Sequence, residues 1–241
     1  MTAKPSVSDT HSSTTSFENW WKIQGEWVEE PNDRRGGYSG VQRIYAEGKL
    51  LYAKRQTGHI HRSLLHPFGR PTVLREQEAL LGARKAGVTV PEIVYCAAEQ
   101  STQGWRALLI TKALEDFQPI DEWYANNGRE EYGEALHQQL LVEVAHTLAR
   151  LHTARWQHGC IYIKHIFVRI TGEGSAAMPE VALLDLEKCR QRLTSKQAAM
   201  HDMLQLRRHS PWDQSDWKTL IGHYQTAMGH NFKSLYNATR P

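Results

Sequence analysis

The sequence has 241 residues, of which 40% are hydrophobic and 23% are charged, as in a globular protein with one large domain or two small lobes. Its formal net charge of +3 is too mild to indicate nucleic-acid binding, but it suits an anionic substrate or an anionic membrane surface. No apolar run approaches the ~18 residues that a membrane span needs. The 3 cysteines (Cys96, Cys160 and Cys189) are scattered, which favours a reducing compartment and argues against a disulfide framework.

The first part of the chain is predicted to be rich in strands. Residues 1–16 have no apolar segment typical of a secretory signal, so they predict a disordered tail. Residues 17–114 are predicted to form a small β-rich lobe, because apolar runs alternate with turn residues. Its predicted elements are a hairpin of strands 41–46 and 49–55 around a Glu-Gly turn, a helix over 73–87 that ends at Gly87, and strands over 92–98 and 105–112.

The second part, residues 115–241, is predicted to form a mainly helical lobe. Leucines at helical spacing predict a long core helix over 132–152. Two short strands over 166–170 and 180–185 follow, joined by a turn, and two helices near 195–208 and 215–228 close the chain. The predicted fold class is therefore α+β, with a β-rich lobe followed by a helical lobe.

One glycine cluster and one lysine of the first lobe are candidates for binding a nucleotide. Neither GxxxxGK[ST] nor a complete GxGxxG is present, but 34-RRGGYSGVQRI-44 contains Gly36, Gly37 and Gly40. Their backbone N–H groups could approach phosphate oxygens, although a plain hairpin loop is the simpler explanation.

Lys54 ends the apolar strand LLYAKR, which is the position of a buried lysine that binds phosphate. Glu76 on the next predicted helix could pair with it, and Glu78 on the same helix is a rival partner. The alternative is that Lys54 and both glutamates are solvated surface residues.

The stretch 157-QHGCIYIKHIFVRI-170 has the spacing of a kinase catalytic loop. In H-R-D-x-x-x-x-N, the Asp aligns the acceptor hydroxyl and the Asn binds metal. His158, Cys160 and His165 occupy the His, Asp and Asn positions in register. Asp185 in 183-LLDLEK-188 ends the next predicted strand, where a metal-binding Asp is expected. Helix, loop, strand, turn and Asp follow one another in the order that phosphate transfer requires.

These motifs resemble the protein-kinase-like superfamily and, within it, the bacterial lipopolysaccharide core (Kdo/WaaP-like) kinases. The segments GGYSG, YAKRQ, LLDLEK and DMLQLRRH carry this resemblance, which covers about residues 34–210. The segments HPFGRPT, REQEAL and HGCIYIKHI look particularly like the InaA group. It implies a two-lobed protein-kinase-like fold that uses ATP with Mg²⁺ or Mn²⁺. It also implies that Lys112 and Leu114 lie at the adenine and that Asp202 holds the catalytic loop. The implied acceptor is an anionic glycolipid, the lipopolysaccharide core. A cytoplasmic protein would reach it by peripheral contact with the inner membrane.

Two residues depart from this family pattern. A thiol at Cys160 makes one weak hydrogen bond and cannot align a hydroxyl as a carboxylate does, which would slow the reaction by about 10²–10⁴-fold. Lys164 or His158 nearby could favour the thiolate. His165 is a poor ligand for Mg²⁺, which prefers oxygen, so one ion would remain on Asp185 or a softer ion such as Mn²⁺ would bind. Two hypotheses follow: a slow phosphotransferase, or a nucleotide-binding pseudokinase that acts as an InaA-type stress-response scaffold.

Two further groups of residues have open interpretations. A loop over 58–72 carries three histidines, His59, His61 and His66, which could bind zinc only with a fourth ligand. The arginines in and just after this loop could meet an anionic acceptor or remain solvated: Arg62, Arg70 and Arg75. Trp20, Trp21 and Trp27 could touch a membrane interface or pack as an N-terminal cap.

Overall fold

The computed structural model describes residues 17–34, 37–46, 48–62 and 66–238, so the predicted tail over 1–16 lies outside the described residues. The described residues form two compact units. The first contains the described residues up to Gln77 together with Glu92–Ala113, and the second contains Glu78–Pro91 and the described residues from Leu114 onwards. The first unit is rich in strands and the second is mainly helical. The lobe boundaries of 17–114 and 115–241 remain a prediction.

A five-stranded antiparallel sheet, in the order β1-β2-β3-β7-β6, forms the body of the first unit. Its strands are β1 (Glu26–Arg34), β2 (Gly37–Ala46), β3 (Lys49–Thr57), β6 (Ile93–Ser101) and β7 (Gly104–Lys112). A short antiparallel pair, β4 (Ile60–His61) and β5 (Arg70–Pro71), follows β3 in the sequence. The predicted hairpin is confirmed, with Ala46 opposite Lys49. Sequence patterning missed β1, because charged residues and Pro31 interrupt its alternation and its pairing with β2 is irregular.

An N-terminal cap covers one face of this sheet. Residues 17–22 are helical (α1), and Phe17 is fully buried in the core cluster of the sheet. Trp21 stacks on Phe17 at 5.4 Å, and Trp20 stacks on Tyr95 at 6.1 Å. The buried Arg55 guanidinium donates to the Trp21 carbonyl at 2.7 Å and so ties the cap to β3. Trp20 and Trp21 therefore pack as a cap, which is the second of the two interpretations, whereas Trp27 lies in β1 with its ring 6.2 Å from that of Tyr38.

Helix α2 (Thr72–Lys85) directly follows β5 and ends close to the predicted position. Gly87 has a φ of 76°, and the Val88 N–H donates to the Ala83 carbonyl at 3.0 Å. A glycine in the left-handed region with such a backward hydrogen bond is the common way in which a helix ends. The stop that Gly87 predicts is confirmed within two residues.

Five helices form most of the second unit: α3 (Ile120–Ala125), α4 (Gly128–Thr153), α5 (Ser195–His209), α6 (Gln214–Met228) and α7 (Lys233–Tyr236). Helix α4 contains the predicted core helix and is broken at Gly133, where φ is 79° and ψ is 167°. Its leucine face is buried, and α4 packs against α6. Both α5 and α6 begin at side-chain caps, Thr194 and Asp213.

The remaining strands of the second unit are short. Strands β11 (Met178–Leu183), β10 (Ile166–Thr171) and β8 (Gln118–Pro119) form one antiparallel sheet in that order, and β9 (Trp156–Gln157) pairs with β12 (Arg190–Gln191). The predicted strand over 180–185 is two residues too long, because the β10–β11 register ends at Ile166 opposite Leu183. Asp185 is therefore outside the ladder, which leaves its backbone free to adopt another conformation.

Candidate active site

Lys54 and Glu76 form a largely buried ion pair in the first unit. Strand β3 carries Lys54 between β2 and β7, opposite Val41 and Leu109. Its Nζ lies 2.8 Å from Glu76 Oε2 on α2, and the two side chains are only 15% and 11% exposed. The rival Glu78 is exposed. The predicted pairing with Glu76 is thus confirmed, while the role of the pair in binding nucleotide stays a prediction.

The predicted glycine-rich turn is only partly described. Gly36 lies outside the described residues, Gly37 is the first residue of β2, and Gly40 lies within β2 opposite Arg55. A Cβ added at Gly37 would come within 2.5 Å of the Gly58 backbone. Close packing against the protein's own chain therefore explains a glycine at this position, and the roles of Gly36, Gly37 and Gly40 in phosphate binding remain predictions.

The residues predicted to lie at adenine follow β7. The Lys112 N–H donates to the Glu92 carbonyl at 2.9 Å, and the Lys112 Nζ forms an ion pair with Glu92 Oε1 at 2.8 Å. The Ala113 N–H donates to the Leu50 carbonyl at 3.1 Å. Because the N–H groups of Lys112 and Ala113 serve the sheet, Leu114 is the better candidate of the two predicted residues to donate from its backbone.

Asp202 on α5 holds the backbone of the loop that carries Cys160. The N–H groups of His158 and Gly159 donate to its two carboxylate oxygens at 2.5 and 2.9 Å. Burial alone raises the pKa of Asp202, but the hydrogen bonds from His152 and from the loop outweigh this effect and keep that pKa below its usual value. The role that the family resemblance implies for Asp202 is present in the structure.

Three residues that the sequence did not single out support this anchor. His152 Nε2 lies 3.2 Å from Asp202 Oδ2, and its Nδ1 lies 2.7 Å from the Tyr224 hydroxyl. The side chains of His152, Asp202 and Tyr224 are fully buried. Gln205, one turn after Asp202, accepts a hydrogen bond from the Ile161 N–H at 3.2 Å. A histidine directly after the leucine face of α4 was the signal in the sequence, since a buried imidazole needs polar partners.

His158 is fully buried and joins the loop to the segment before Asp185. Its Nε2 donates to the Leu184 carbonyl at 2.9 Å. Burial lowers the pKa of His158, which keeps the ring neutral. This environment favours a positioning role for His158, because a fully buried ring linked to a backbone carbonyl does not touch a substrate.

The structure brings together three residues that the sequence predicts to bind the metal or the acceptor: Cys160, His165 and Asp185. The Cys160 sulfur, one His165 ring nitrogen and one Asp185 carboxylate oxygen all lie within 4.8 Å of one another. His165 Nδ1 lies 2.7 Å from the Cys160 carbonyl, and His165 Nε2 lies 3.6 Å from Asp185 Oδ2. The cation beside the thiol is Lys188, with Nζ 3.6 Å from Cys160 Sγ, and not Lys164, which is exposed.

Asp185 reaches this cluster through an uncommon backbone conformation. Its φ and ψ are both 58°, in the left-handed region that L-residues other than Asn and Asp rarely enter. Its carboxylate is 43% exposed, in contrast to the 14% of His165. A residue held in this region at the end of a strand is typical of a functional site, since the conformation costs energy that packing must supply.

A second cluster with metal-ligand chemistry is an internal network. Glu134, His137 and Asp216 come within 4.8 Å of one another, but the Arg129 guanidinium pairs with both carboxylates at 2.8 and 3.0 Å. Arg129 also holds the pKa of Glu134 at about 2. His137 Nε2 accepts from the Tyr124 hydroxyl at 2.8 Å. These partners satisfy the cluster, so it needs no metal.

The histidine loop is not brought into a metal cluster. Within the described ranges, neither group of possible metal ligands contains His59, His61 or His66. His59 Nδ1 lies 2.9 Å from the Thr72 hydroxyl. Burial and the charges of Arg75 and Arg70 lower the pKa of His61. A zinc site in this loop therefore has no support from the described residues.

Within the part of the chain that the structure describes, no helix has the length and apolar character needed to cross a membrane.

The fold and the site define a class of protein. The chain matches the solved structure "WaaP in complex with acyl carrier protein" with a TM-score of 0.68 and 18% identity, over 93% of this chain and 89% of that one. Its fold is therefore protein-kinase-like, with the mixed α and β composition that the sequence predicts.

The family follows from sequence comparison. The model of the lipopolysaccharide kinase (Kdo/WaaP) family matches residues 18–224. "Protein InaA" of Escherichia coli (strain K12) is 42% identical over 209 residues, which are 86% of this chain and 94% of that protein. The chain belongs to the lipopolysaccharide kinase (Kdo/WaaP) family, and the resemblance to its InaA group is confirmed.

Proposed function

We propose that this protein is an ATP-dependent phosphotransferase that acts on a sugar hydroxyl of the lipopolysaccharide core. The Lys54–Glu76 ion pair carries the proposal. Two charges removed from water cost several kcal/mol each unless their geometry is good, so a pair only 15% and 11% exposed needs a reason. In a kinase-like fold, the reason would be that the glutamate orients the lysine to bind phosphate oxygens. Membership of a family of lipopolysaccharide kinases supports the reaction class.

The residues of the chain divide between nucleotide and acceptor chemistry. Lys54 would bind the ATP phosphates while Glu76 orients it, and the glycines at the start of β2 would approach the same phosphates. Leu114, with Lys112, would lie at the adenine. Cys160 would lie at the acceptor hydroxyl, because it occupies the position of the kinase Asp. His158 and Asp202 would fix the loop that carries it.

The residues at the metal position do not fit Mg²⁺ well. That ion prefers a shell of oxygen ligands in octahedral geometry. Asp185 supplies carboxylate oxygen, but its neighbours are an imidazole and a thiol. Asp185 and His165 are proposed metal residues on this basis, and Mn²⁺ or another ion that accepts nitrogen suits them better than Mg²⁺.

Catalysis by these residues is expected to be slow. Cys160 is only 9% exposed, and its thiol is a weak hydrogen-bonding group. Phosphoryl transfer depends chiefly on positioning and charge stabilisation, so the loss of a carboxylate would cost about 10²–10⁴-fold in rate without abolishing the reaction.

The proposal for the acceptor and the location is supported by the family alone. A lipopolysaccharide kinase meets its glycolipid at a membrane surface, and we propose peripheral contact of a cytoplasmic protein with the inner membrane. The formal net charge of +3 suits an anionic surface.

A second candidate function rests on the same departures. Cys160 and His165 stand where an active kinase has oxygen donors, which favours a pseudokinase that binds nucleotide and acts as a stress-response scaffold. The two candidates share nucleotide binding and differ only in phosphate transfer.

Nucleotide binding is tested by thermal unfolding with millimolar ATP and Mg²⁺ or Mn²⁺. A ligand at 100 times its Kd stabilises the folded state by about 2.7 kcal/mol. Lys54→Ala should remove this shift, and the matched control is Lys49→Ala, an exposed lysine on the same strand. Glu76→Gln should weaken the shift, whereas Glu78→Gln on the same helix should not. If ATP and ADP leave the melting temperature unchanged with either metal, both candidate functions are wrong.

Phosphate transfer separates the two candidates. Incubation with γ-labelled ATP and purified lipid A–core should label the glycolipid if the protein is a kinase. Binding of ATP without any label in the glycolipid identifies the pseudokinase, and label on protein side chains alone would point to another acceptor.

A further inference from the structure

We infer that Cys160, His165 and Asp185 form a binding site for one thiophilic divalent cation of the Zn²⁺ type, in preference to Mg²⁺. The inference rests on the metal role that the proposed function gives to Asp185 and His165. It makes Cys160 the third ligand, so that with an ion bound the sulfur faces the metal and not the acceptor hydroxyl. The three donor atoms all lie within 4.8 Å of one another.

The proton on His165 is placed by its backbone partner. A carbonyl oxygen can only accept, so at 2.7 Å from the Cys160 carbonyl the Nδ1 of His165 carries the hydrogen. The other ring nitrogen, Nε2, lies 3.6 Å from Asp185 Oδ2, so these two atoms face the same point. An ion at that point would have both atoms as ligands. Metal-binding histidines are commonly oriented in this way by a hydrogen bond from the other ring nitrogen.

The separations suit a small tetrahedral ion. With metal–nitrogen and metal–oxygen bonds of about 2.0–2.2 Å, two tetrahedral ligands lie roughly 3.4 Å apart. The 3.6 Å between His165 Nε2 and Asp185 Oδ2 is close to that value. The limit of 4.8 Å on the sulfur separations leaves only a small side-chain movement for Cys160. Three protein ligands also leave a fourth position open, as in catalytic zinc sites.

The residues around the sulfur hold it in place. Cys160 is only 9% exposed, and the ammonium group of Lys188 lies 3.6 Å from its Sγ. Asp202 fixes the backbone on one side of Cys160, and His165 binds its carbonyl, so the ligand is held in place before any ion arrives. Thiolate and imidazole together select zinc-like ions over magnesium.

The test is a titration of the full-length protein with Co²⁺ alone, without nucleotide. Co²⁺ takes zinc sites, and its bond to a thiolate gives a charge-transfer band in the near ultraviolet. We expect one Co²⁺ per chain with this band, displacement by Zn²⁺, and no displacement by excess Mg²⁺. Cys160→Ser should abolish the band, whereas Cys96→Ser should leave it unchanged. A wild-type protein without the band, or a band that persists in Cys160→Ser, would overturn the inference.

Two further variants keep the test independent of the folding of Cys160→Ser. His165→Gln and Asp185→Asn should each weaken Zn²⁺ binding at least about tenfold by calorimetry. Glu134→Gln, in the network that Arg129 satisfies, should not change it. Full Zn²⁺ affinity in both His165→Gln and Asp185→Asn would also overturn the inference.

The failures of the two proposals can be told apart. ATP-dependent stabilisation that is lost in Lys54→Ala, without the cobalt band, contradicts the metal site alone. The cobalt band without any nucleotide shift contradicts the proposed function alone.

Discussion

The two groups of candidate site residues differ in how far they depart from ordinary kinase chemistry. In the first unit, Lys54 and Glu76 keep the charges of a phosphate-binding pair and lie 2.8 Å apart. In the second unit, Cys160 and His165 replace the oxygen donors, and only Asp185 keeps its type. Binding of phosphate needs a fixed positive charge, for which lysine has few substitutes. A different set of ligands can still bind a metal ion, provided that the ion is one that prefers those ligands.

The second unit also separates its framework from its reacting groups. Asp202, His152 and Tyr224 are fully buried and hold the loop by its backbone. These bonds involve no atom of the Cys160 or His165 side chains, so the anchor itself does not depend on which side chains stand at these two positions. Cys160 and His165 therefore lie in or beside a loop whose backbone anchor is present.

The largest expected effect comes from restoring the oxygen donors of the second unit. The double variant Cys160→Asp and His165→Asn should raise phosphate transfer in Mg²⁺ by about 10²–10⁴-fold, since a carboxylate aligns the acceptor hydroxyl and accepts its proton. The same variant should lose the cobalt charge-transfer band. Transfer of γ-labelled phosphate to lipid A–core, measured in Mg²⁺ and in Mn²⁺, checks this prediction.

Single variants at Cys160 show what the thiol contributes. Cys160→Asp alone should keep or raise the rate, with the repulsion between its new charge and Asp185 opposing the gain. Cys160→Ala should lower kcat in a slow kinase. Full wild-type turnover in Cys160→Ala would show that the thiol has no catalytic role, and in a pseudokinase every variant at this position stays at background.

The next largest effect is expected at the anchor of the second unit. Asp202→Asn places an amide against the N–H groups of His158 and Gly159, and it should lower the free energy of unfolding by about 3–5 kcal/mol, as when one partner of a buried charged network is removed. Denaturant unfolding measures this loss. Asp121→Asn, on a partly exposed side chain, should change stability by less than about 0.5 kcal/mol. A similarly small change in Asp202→Asn would show that the anchor does not hold the loop.

The smallest expected effect concerns pH. Burial lowers the pKa of His158 in the folded state, so the unfolded chain binds the proton more tightly. Stability from this group is present above the unfolded pKa, near 6.5, and falls as the pH drops below it. His158→Gln should therefore reduce the stability that is lost between pH 7.5 and pH 5.5, a range that brackets the ordinary histidine pKa of about 6.5. The exposed His230→Gln is the control, and an unchanged pH slope in His158→Gln would contradict the prediction.

Much of the fold could be predicted from the sequence because its signals are local. The Glu-Gly turn between β2 and β3, Gly87 after α2 and the leucine face of α4 each depend on neighbours close in sequence. Strand β1 was missed since its residues are mostly charged and Pro31 breaks its pattern. The end of β11 was placed two residues late, because the apolar run continues to Leu184 while the pairing with β10 stops at Leu183.

For the site, the sequence by itself determined which chemical groups are available, through the spacing of His158, Cys160, His165 and Asp185. It could not decide between Glu76 and Glu78, because that choice depends on the face of a helix. It pointed to Lys164 or His158 beside the thiol and missed Lys188, because that contact is made across the fold. Only the tertiary structure brought sulfur, imidazole and carboxylate within 4.8 Å of one another. Distances between residues far apart in sequence are fixed by packing, and packing is a property of the whole unit.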